Sequence, residues 1–251
     1  MDLQQDPYKR SGRRKRVFST FMLFLAIVAG FLLESQTARQ QDPPASTTLN
    51  SPIVQTTNEQ ALIKYKTALE GLYALPVKGR APKTGYTRTQ FGNGWEKTGT
   101  CDMRNRILAR DLKEVTYQIN SCVVLGGALD DPYTAKIIPF ARGSSSSSLI
   151  QIDHVVALSD SWQKGAQLLT LALRQKFAND GLNLLAVDGQ TNQDKSDSDA
   201  ATWLPPNKPI RCPYVARQVS VKLKYSLWVT GAEKNSIENI LKDCPLQPLV
   251  T

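Results

Sequence analysis

The longest apolar run of the chain lies near its start, at residues 17–33. Residues 9–16, directly before it, carry six Lys and Arg side chains. A basic cluster followed by an apolar segment is typical of an export signal. The length of this segment lies between that of a signal-peptide core and the roughly 20 residues of a membrane span. Residues 1–33 are therefore predicted to be either a cleaved signal peptide or a signal-anchor that leaves the rest of the chain outside the membrane.

Residues 34–58 contain few large apolar side chains and are rich in Gln, Thr, Ser and Pro. Such a composition does not offset the entropy lost on ordering, so this segment is predicted to be a disordered linker. A capping-box pattern at residues 57–60 then precedes apolar residues at helical spacing. The folded domain is predicted to occupy residues 59–251.

Helical and strand-like patterns alternate within this domain, which predicts an α+β fold. Asp102 is placed to cap a helix over residues 103–115, and a strand-like run follows at 115–119. Residues 130–133 indicate a turn between two short strands. Near the end of the chain, an amphipathic stretch at 214–225 and a second one capped by Thr230 predict a helical hairpin.

The centre of the domain has a strand, insert, strand, helix pattern. An apolar strand at 149–152 ends directly in Asp153 and His154, and a second strand at 184–187 is introduced by Asn183. A helical insert separates the strands, and a short helix that contains Asn192, capped by Thr191 or a neighbour, follows the second one. If the strands pair antiparallel, these polar residues converge.

The residue types at this point suit phosphodiester hydrolysis. A hard cation such as Mg²⁺ takes oxygen ligands and keeps several waters, so Asp153 and Asn192 would suffice to hold it. A neutral imidazole takes a proton from water at neutral pH if the ring is held in one orientation. His154, next to Asp153, is placed for this.

The composition of the chain limits which metal sites and which binding partners are possible. The chain has one histidine, which excludes zinc sites with two or three His ligands and haem with two His ligands. Its formal charge is +9, of which residues 1–40 supply +4 through seven basic and three acidic side chains. The remaining +5 is compatible with nucleic-acid binding but does not establish it.

Four cysteines, Cys101, Cys122, Cys212 and Cys244, lie too far apart for a CxxC motif. Their even number favours disulfides in an oxidising compartment. Locality favours one of the three possible connectivities, with Cys101 bonded to Cys122 and Cys212 bonded to Cys244, because each pair flanks a segment that folds back on itself.

The chain resembles the HNH endonucleases of the ββα-metal superfamily, in particular their exported, four-cysteine branch. The resemblance covers about residues 85–245 and depends on five stretches in this order: YTRTQFGNGW at 86–95, CDMRNRILARDL at 101–112, IDHVVALSDSW at 152–162, NLLAVDGQTNQDKSDSDAATWLPP at 183–206 and RCPYVARQVSVKLKYSLWVT at 211–230. It implies a ββα-metal core with a helical insert and a C-terminal helical hairpin. The implied activity is metal-dependent cleavage of nucleic acid, with DNA favoured over RNA.

Carried over by position, the resemblance implies that His154 is the general base and Asn183 the middle Asn of the motif. It also implies that Asp153 and Asn192 are the metal ligands. Asn192 stands where the family name has a final His, which favours Mg²⁺ or Mn²⁺ over Zn²⁺ or Ni²⁺. Arg104 and Lys195 are candidate substrate-binding residues. Lys195 lies one helical turn after Asn192 and could reach a phosphate from there.

Each of these residues also has an ordinary structural interpretation. An Asp-His pair after a strand is commonly a surface turn, Asn183 a turn residue, Asn192 a helix cap and Lys195 a solvated side chain. The rival functional class is a non-catalytic, disulfide-stabilised extracellular module that binds polyanions or another protein. A serine hydrolase that uses His154 is disfavoured, because the chain has no G-x-S-x-G motif.

Overall fold

The computed structural model describes residues 60–143 and 147–251. The predicted signal segment at 1–33 and the predicted linker at 34–58 lie outside these residues. Within the described part, no helix is both long enough and apolar enough to cross a membrane.

The described residues form an α+β fold with short helices and small antiparallel sheets. The helices are α1 Gln60–Lys64, α2 Ala68–Ala74, α3 Met103–Asp111, α4 Leu158–Gln163, α5 Leu171–Ala178, α6 Gly189–Lys195, α7 Arg211–Lys224 and α8 Gly231–Lys242. The strands are β1 Lys97–Thr98, β2 Cys101–Asp102, β3 Leu112–Tyr117, β4 Val124–Asp130, β5 Ile137–Ala141, β6 Ile150–His154 and β7 Leu184–Asp188.

The α3 helix begins as predicted and ends earlier. The Asp102 side chain accepts a hydrogen bond from the Asn105 backbone N–H at 2.7 Å, which confirms the predicted cap. The helix was predicted to reach residue 115, but it ends at Asp111. From Leu112 onwards the backbone pairs antiparallel with β4 instead. The sheet hydrogen bonds of β3 thus replace the last turn of the helix that sequence periodicity suggests.

Strand order within the three-stranded sheet is β3, β4, β5, with antiparallel pairing throughout. The turn predicted at 130–133 is confirmed for residues 131–133, which connect β4 to β5, whereas Asp130 is the last residue of β4. In this turn the Asp131 carboxylate accepts hydrogen bonds from the Thr134 backbone N–H and from its hydroxyl, a local arrangement that favours Asp in turns.

Two disulfides stabilise the domain with the predicted connectivity. Cys101 is bonded to Cys122 and Cys212 to Cys244, with Cα–Cα distances of 5.6 and 6.4 Å. The second disulfide joins the start of α7 to the residues after α8. Thr230 and Glu233 form the capping box of α8, so the predicted C-terminal helical hairpin is confirmed.

The paired strands β6 and β7 lie between two hydrophobic cores. Ile150, Ile152 and Leu184 belong to a smaller core with α3 and the three-stranded sheet. Val155, immediately after β6, and Val187 belong to a larger core built by α2, α4, α5, α7 and α8. Burial on both sides fixes the end of β6, where Asp153 and His154 lie.

Candidate active site

The centre of the domain has the predicted strand, strand, helix arrangement. β6 and β7 pair antiparallel, with His154 opposite Leu184 and Ile150 opposite Asp188. The α6 helix follows β7 directly, and its cap is Asp188, whose carboxylate accepts hydrogen bonds from the backbone N–H and hydroxyl of Thr191. Thr191 therefore donates to the cap of this helix and is not the cap itself.

A cleft of about 500 Å³ opens at the end of β6. Its lining is mostly polar and is contributed by β6, α4, α6 and the segment before α3. The lining residues are Lys83, Tyr86, Arg88, Gln151, Ile152, Asp153, His154, Ala157, Leu158, Ser159, Asn192, Ser196 and Asp197. Three of the residues predicted for the site, Asp153, His154 and Asn192, thus share one cleft.

His154 is held in one tautomer. Its Nε2 lies 2.9 Å from the Ala178 carbonyl oxygen, which only accepts hydrogen bonds. Nε2 therefore carries the proton, and Nδ1 keeps a lone pair that has no hydrogen-bond partner among residues 60–143 and 147–251. Burial lowers the pKa of His154 to about 4, so the ring is neutral at pH 7.

The Trp95 indole stacks on the His154 ring. The two rings are nearly parallel, with an interplanar angle of 9° and centroids 5.7 Å apart. Trp95 also lines a smaller cavity beside the cleft, together with Arg88 and His154. One face of the imidazole is thus covered by an aromatic ring.

The Asp153 carboxylate is buried and bonded on both oxygens. Oδ1 accepts from the Lys195 ammonium at 2.9 Å, and Oδ2 accepts from the Tyr133 hydroxyl at 2.5 Å. Burial, with a smaller contribution from Asp153, raises the pKa of Tyr133 well above its ordinary value, so the phenol remains a donor. Each carboxylate oxygen has two acceptor positions, so one on each remains.

Lys195 is fully buried and does not line the cleft. Its ammonium donates to Asp153 and, at 2.9 Å, to the His154 carbonyl oxygen. The prediction that Lys195 reaches substrate does not fit this position, because its charge is already used within the fold. Lys195 instead joins α6 to the end of β6.

The two asparagines have different surroundings. Asn183 is buried behind the cleft, where its Oδ1 accepts from the Val156 backbone N–H at 2.8 Å and its Nδ2 donates to the Val156 carbonyl. It therefore braces the chain just after His154. Asn192 lies in the cleft, and its Nδ2 donates to Gln151 Oε1 at 2.8 Å. Its Oδ1 has no hydrogen-bond partner within the described part of the chain.

Arg104 lies outside the cleft lining, so its contact with substrate stays a prediction. Its guanidinium donates to the carbonyl oxygens of Ser147 and Ile150 at 3.2 and 3.1 Å. Burial and the neighbouring Arg142 lower its pKa. Arg104 thus supports the chain that enters β6, because its Nη2 donates to two carbonyl oxygens of that chain.

Three residues of the site were not predicted. Lys83 and Arg88 are exposed cations in the cleft, and Trp95 stacks on His154. Arg88 and Trp95 lie in the stretch 86–95 that contributes to the family resemblance, but no local periodicity indicates that this stretch meets β6. Lys83 pairs with Asp197 at 3.0 Å, whereas Arg88 has no ion pair in the described structure.

The donor set in the cleft fits a hard divalent cation. In the described ranges, no three His, Cys, Asp or Glu side chains converge as a metal cluster. The oxygen donors that line the cleft include the Asp153 and Asp197 carboxylates and the amide oxygen of Asn192. One or two carboxylates with several waters is a common way for proteins to hold Mg²⁺, whereas Zn²⁺ prefers N and S ligands.

Comparison with known proteins shows the family of this chain. Residues 102–239 match the family described as "GmrSD restriction endonucleases, C-terminal domain", and these residues include β6, β7 and α6. A protein of Arthroderma benhamiae, named an uncharacterized secreted protein, is 37% identical over 180 residues, which is 71% of this chain and 85% of that protein. No solved structure matches. The chain belongs to the family of GmrSD restriction endonuclease C-terminal domains, which confirms the resemblance to nucleases found in its sequence.

Proposed function

We propose that this protein is an exported, divalent-metal-dependent endonuclease in which His154 is the general base. The observation that carries the proposal is the shared cleft of Asp153, His154 and Asn192 at the end of an antiparallel strand pair. Among the described residues, His154 Nδ1 and Asn192 Oδ1 in this cleft have no hydrogen-bond partner. The resemblance to ββα-metal nucleases implies that His154 activates water and that Asn192 binds the metal ion.

His154 Nδ1 takes a proton from a water molecule that attacks the scissile phosphate. The hydrogen bond from Nε2 to the Ala178 carbonyl keeps the lone pair on Nδ1. The same carbonyl stabilises the ring when it becomes protonated, because the N–H donor is then stronger. General bases of this kind contribute about 10²–10⁴-fold to a rate.

Asp153 and Asn192 would hold the divalent cation, through one carboxylate oxygen and the free Oδ1. When bound, the cation would stabilise charge on the scissile phosphate and on the leaving oxygen. Lys195 and Tyr133 fix the Asp153 carboxylate by bonding one acceptor position on each oxygen. Asp153 is thereby held in one rotamer before any ligand arrives.

Arg88 and Lys83 would bind phosphates of the substrate. Both are exposed in the cleft, and Arg88 has no protein counter-ion among the described residues. A guanidinium matches the geometry of two phosphate oxygens. Asn183 acts at a distance by bracing the backbone of Val156, two residues after the base.

The proposal also includes the location of the protein and the nucleic acid that it cleaves. The relative from Arthroderma benhamiae is named as secreted, and the two disulfides are typical of an oxidising compartment. The domain at 59–251 would therefore act outside the cytoplasm, after cleavage of the leader or anchored by it. The description of the family as restriction endonucleases favours DNA over RNA as the substrate.

Plasmid cleavage and DNA binding, measured on the same protein, distinguish a nuclease from a non-catalytic binding module. We expect the protein to nick and linearise supercoiled DNA with Mg²⁺ or Mn²⁺ and to stop when EDTA is added. Arg88→Ala tests the cleft in the same assay, with the exposed Lys208→Ala as its control for loss of one positive charge. Metal-independent DNA binding without cleavage would support the binding module and contradict the nuclease.

A further inference from the structure

The segment that carries Trp95 is mostly exposed. Residues 93, 94 and 96–100 are exposed on its two sides, while Trp95 is half-buried against His154. Gly92 and Gly94 have φ angles of +99° and +108°, a region that favours glycine. The indole is thus the main side chain by which this segment contacts the centre of the domain.

Few interactions hold the segment in place. The Glu96 backbone N–H donates to Asn179 Oδ1 at 2.8 Å, and the Glu96 carbonyl accepts from the Met103 backbone N–H at 2.9 Å. β1 and β2 are two residues each and, among the described strands, pair only with each other. The covalent link is the disulfide from Cys101 in β2 to Cys122, two residues before β4.

The end of α5 contacts both the base and this segment. The Ala178 carbonyl accepts from His154 Nε2, and the next residue, Asn179, accepts from Glu96 through its side chain. Among the described residues, the His154 side chain has one hydrogen bond, and this bond alone leaves the ring free to rotate about it. The nearly parallel indole restricts this rotation, because tilting the imidazole would break the stack or bring the two rings into collision.

We propose that Trp95 is a positioning residue for His154, and that the Cys101–Cys122 disulfide makes the activity of the site depend on oxidation by tying β2, at the end of the segment that carries Trp95, to the residues before β4. This inference rests on the proposed nuclease function. Trp95 acts through the base and does not contact the reacting atoms. The regulation therefore affects the chemical step more than substrate binding.

Oxidation of the pair is a thiol-disulfide exchange. The thiols of Cys101 and Cys122 each lose a proton, and together they give two electrons to a disulfide oxidant. The S–S bond of the oxidant breaks and leaves two thiols. A dithiol reductant reverses the reaction. A nuclease with this dependence is weak in a reducing cytoplasm and reaches full rate after export, which spares the nucleic acid of the cell that makes it.

Substitution of Trp95 tests the positioning role. We expect Trp95→Ala to lower kcat about 10- to 100-fold, with KM within about twofold, because a small misplacement of a catalytic group has effects of this size. Trp95→Phe keeps an aromatic face on the imidazole and should restore most of kcat. Equal kcat in Trp95→Ala and the parent, or a change confined to KM, would overturn the positioning role.

The two disulfides provide a matched pair for the redox test. We expect Cys101→Ser/Cys122→Ser to lower kcat about tenfold at a temperature where it remains folded. Cys212→Ser/Cys244→Ser, which removes the disulfide of the helical hairpin, should lower Tm and keep the parent kcat. An equal loss in both double variants, or no loss in the first, would overturn the regulation.

A spectroscopic readout separates this inference from the nuclease activity itself. His154 is the only histidine of the chain, so its ring Cε1–H gives one NMR signal, which the ring current of Trp95 shifts. We expect Trp95→Ala and Cys101→Ser/Cys122→Ser to move this signal toward the position of a free histidine, and the control double variant to leave it in place. An unmoved signal after loss of Cys101 and Cys122 would contradict the inference even in a protein with no measurable cleavage.

Discussion

Two groups of polar side chains meet at α4 and differ in how their charges are used. The first is the cleft, to which Leu158 and Ser159 contribute. The second consists of three cations and three carboxylates, all buried except Arg80: Arg80, Lys164, Lys222, Asp160, Asp199 and Glu233. We call the second group the charge cluster.

Every member of the charge cluster has an oppositely charged neighbour. Lys164 lies 2.8 Å from Asp160, 2.6 Å from Asp199 and 2.8 Å from Glu233. Its three positive and three negative charges cancel, as burial requires. In the cleft, by contrast, His154 Nδ1 and Asn192 Oδ1 have no partner within the described residues. Buried polar groups whose hydrogen-bond and ion-pair partners are all within the protein have a structural role. Polar groups that lack such partners and face an open cleft indicate a binding site for a ligand.

The largest effect on stability is expected when the charge cluster is broken. Lys164→Met leaves buried carboxylates without their central cation, which costs about 3–5 kcal/mol of unfolding free energy. Urea denaturation measures the loss, with the exposed Lys208→Met as the control. A variant with the same unfolding free energy as the parent would show that the charge cluster does not stabilise the fold.

Asp153 belongs to both kinds of group, so its substitution should have a mixed result. Asp153→Ala removes the proposed carboxylate ligand and also leaves the buried Lys195 ammonium without its counter-ion. We expect loss of cleavage even at high Mg²⁺, together with a stability loss of several kcal/mol. Cleavage unchanged at saturating Mg²⁺ would show that Asp153 is purely structural.

Arg88 should affect substrate binding and leave stability unchanged. Its guanidinium is exposed and unpaired among the described residues, so Arg88→Ala removes a contact to substrate without breaking an ion pair of the described structure. A charge-assisted hydrogen bond contributes about 1.5–3 kcal/mol, so kcat/KM should fall about 10- to 100-fold with the same urea midpoint. If Lys208→Ala lowered kcat/KM by the same factor, the effect would be one of net charge.

Asn192→His should have the smallest effect with Mg²⁺ and a clear one with softer metals. Imidazole binds Zn²⁺ and Ni²⁺ better than an amide oxygen does. We therefore expect cleavage of plasmid to become measurable with these metals. An unchanged metal profile would argue that Asn192 is not a ligand.

Local features of this fold could be predicted from sequence. The caps at Asp102 and Thr230 and the β6 and β7 strands follow from residue types a few positions apart. The Cys212–Cys244 pairing follows because both ends belong to one helical hairpin. In each case, one short stretch contains the residues that make the contact.

Contacts between distant segments were not predicted, because the residues that form them lie in different stretches of the sequence. Trp95 and His154 are 59 positions apart, and no periodicity connects them. Lys195 was interpreted as a residue facing substrate, because helical spacing does not show that its ammonium is buried against Asp153. The charge cluster joins α4, α7 and α8, and only the pair Asp160 and Lys164 has helical spacing.

The most direct test of the account is the rate of plasmid cleavage by His154→Ala at saturating Mg²⁺. We expect the rate to fall about 10²–10⁴-fold, because the variant lacks the base that takes a proton from water. Its circular dichroism spectrum should match that of the parent. A His154→Ala protein that is folded and cleaves at the parent rate would contradict the central claim.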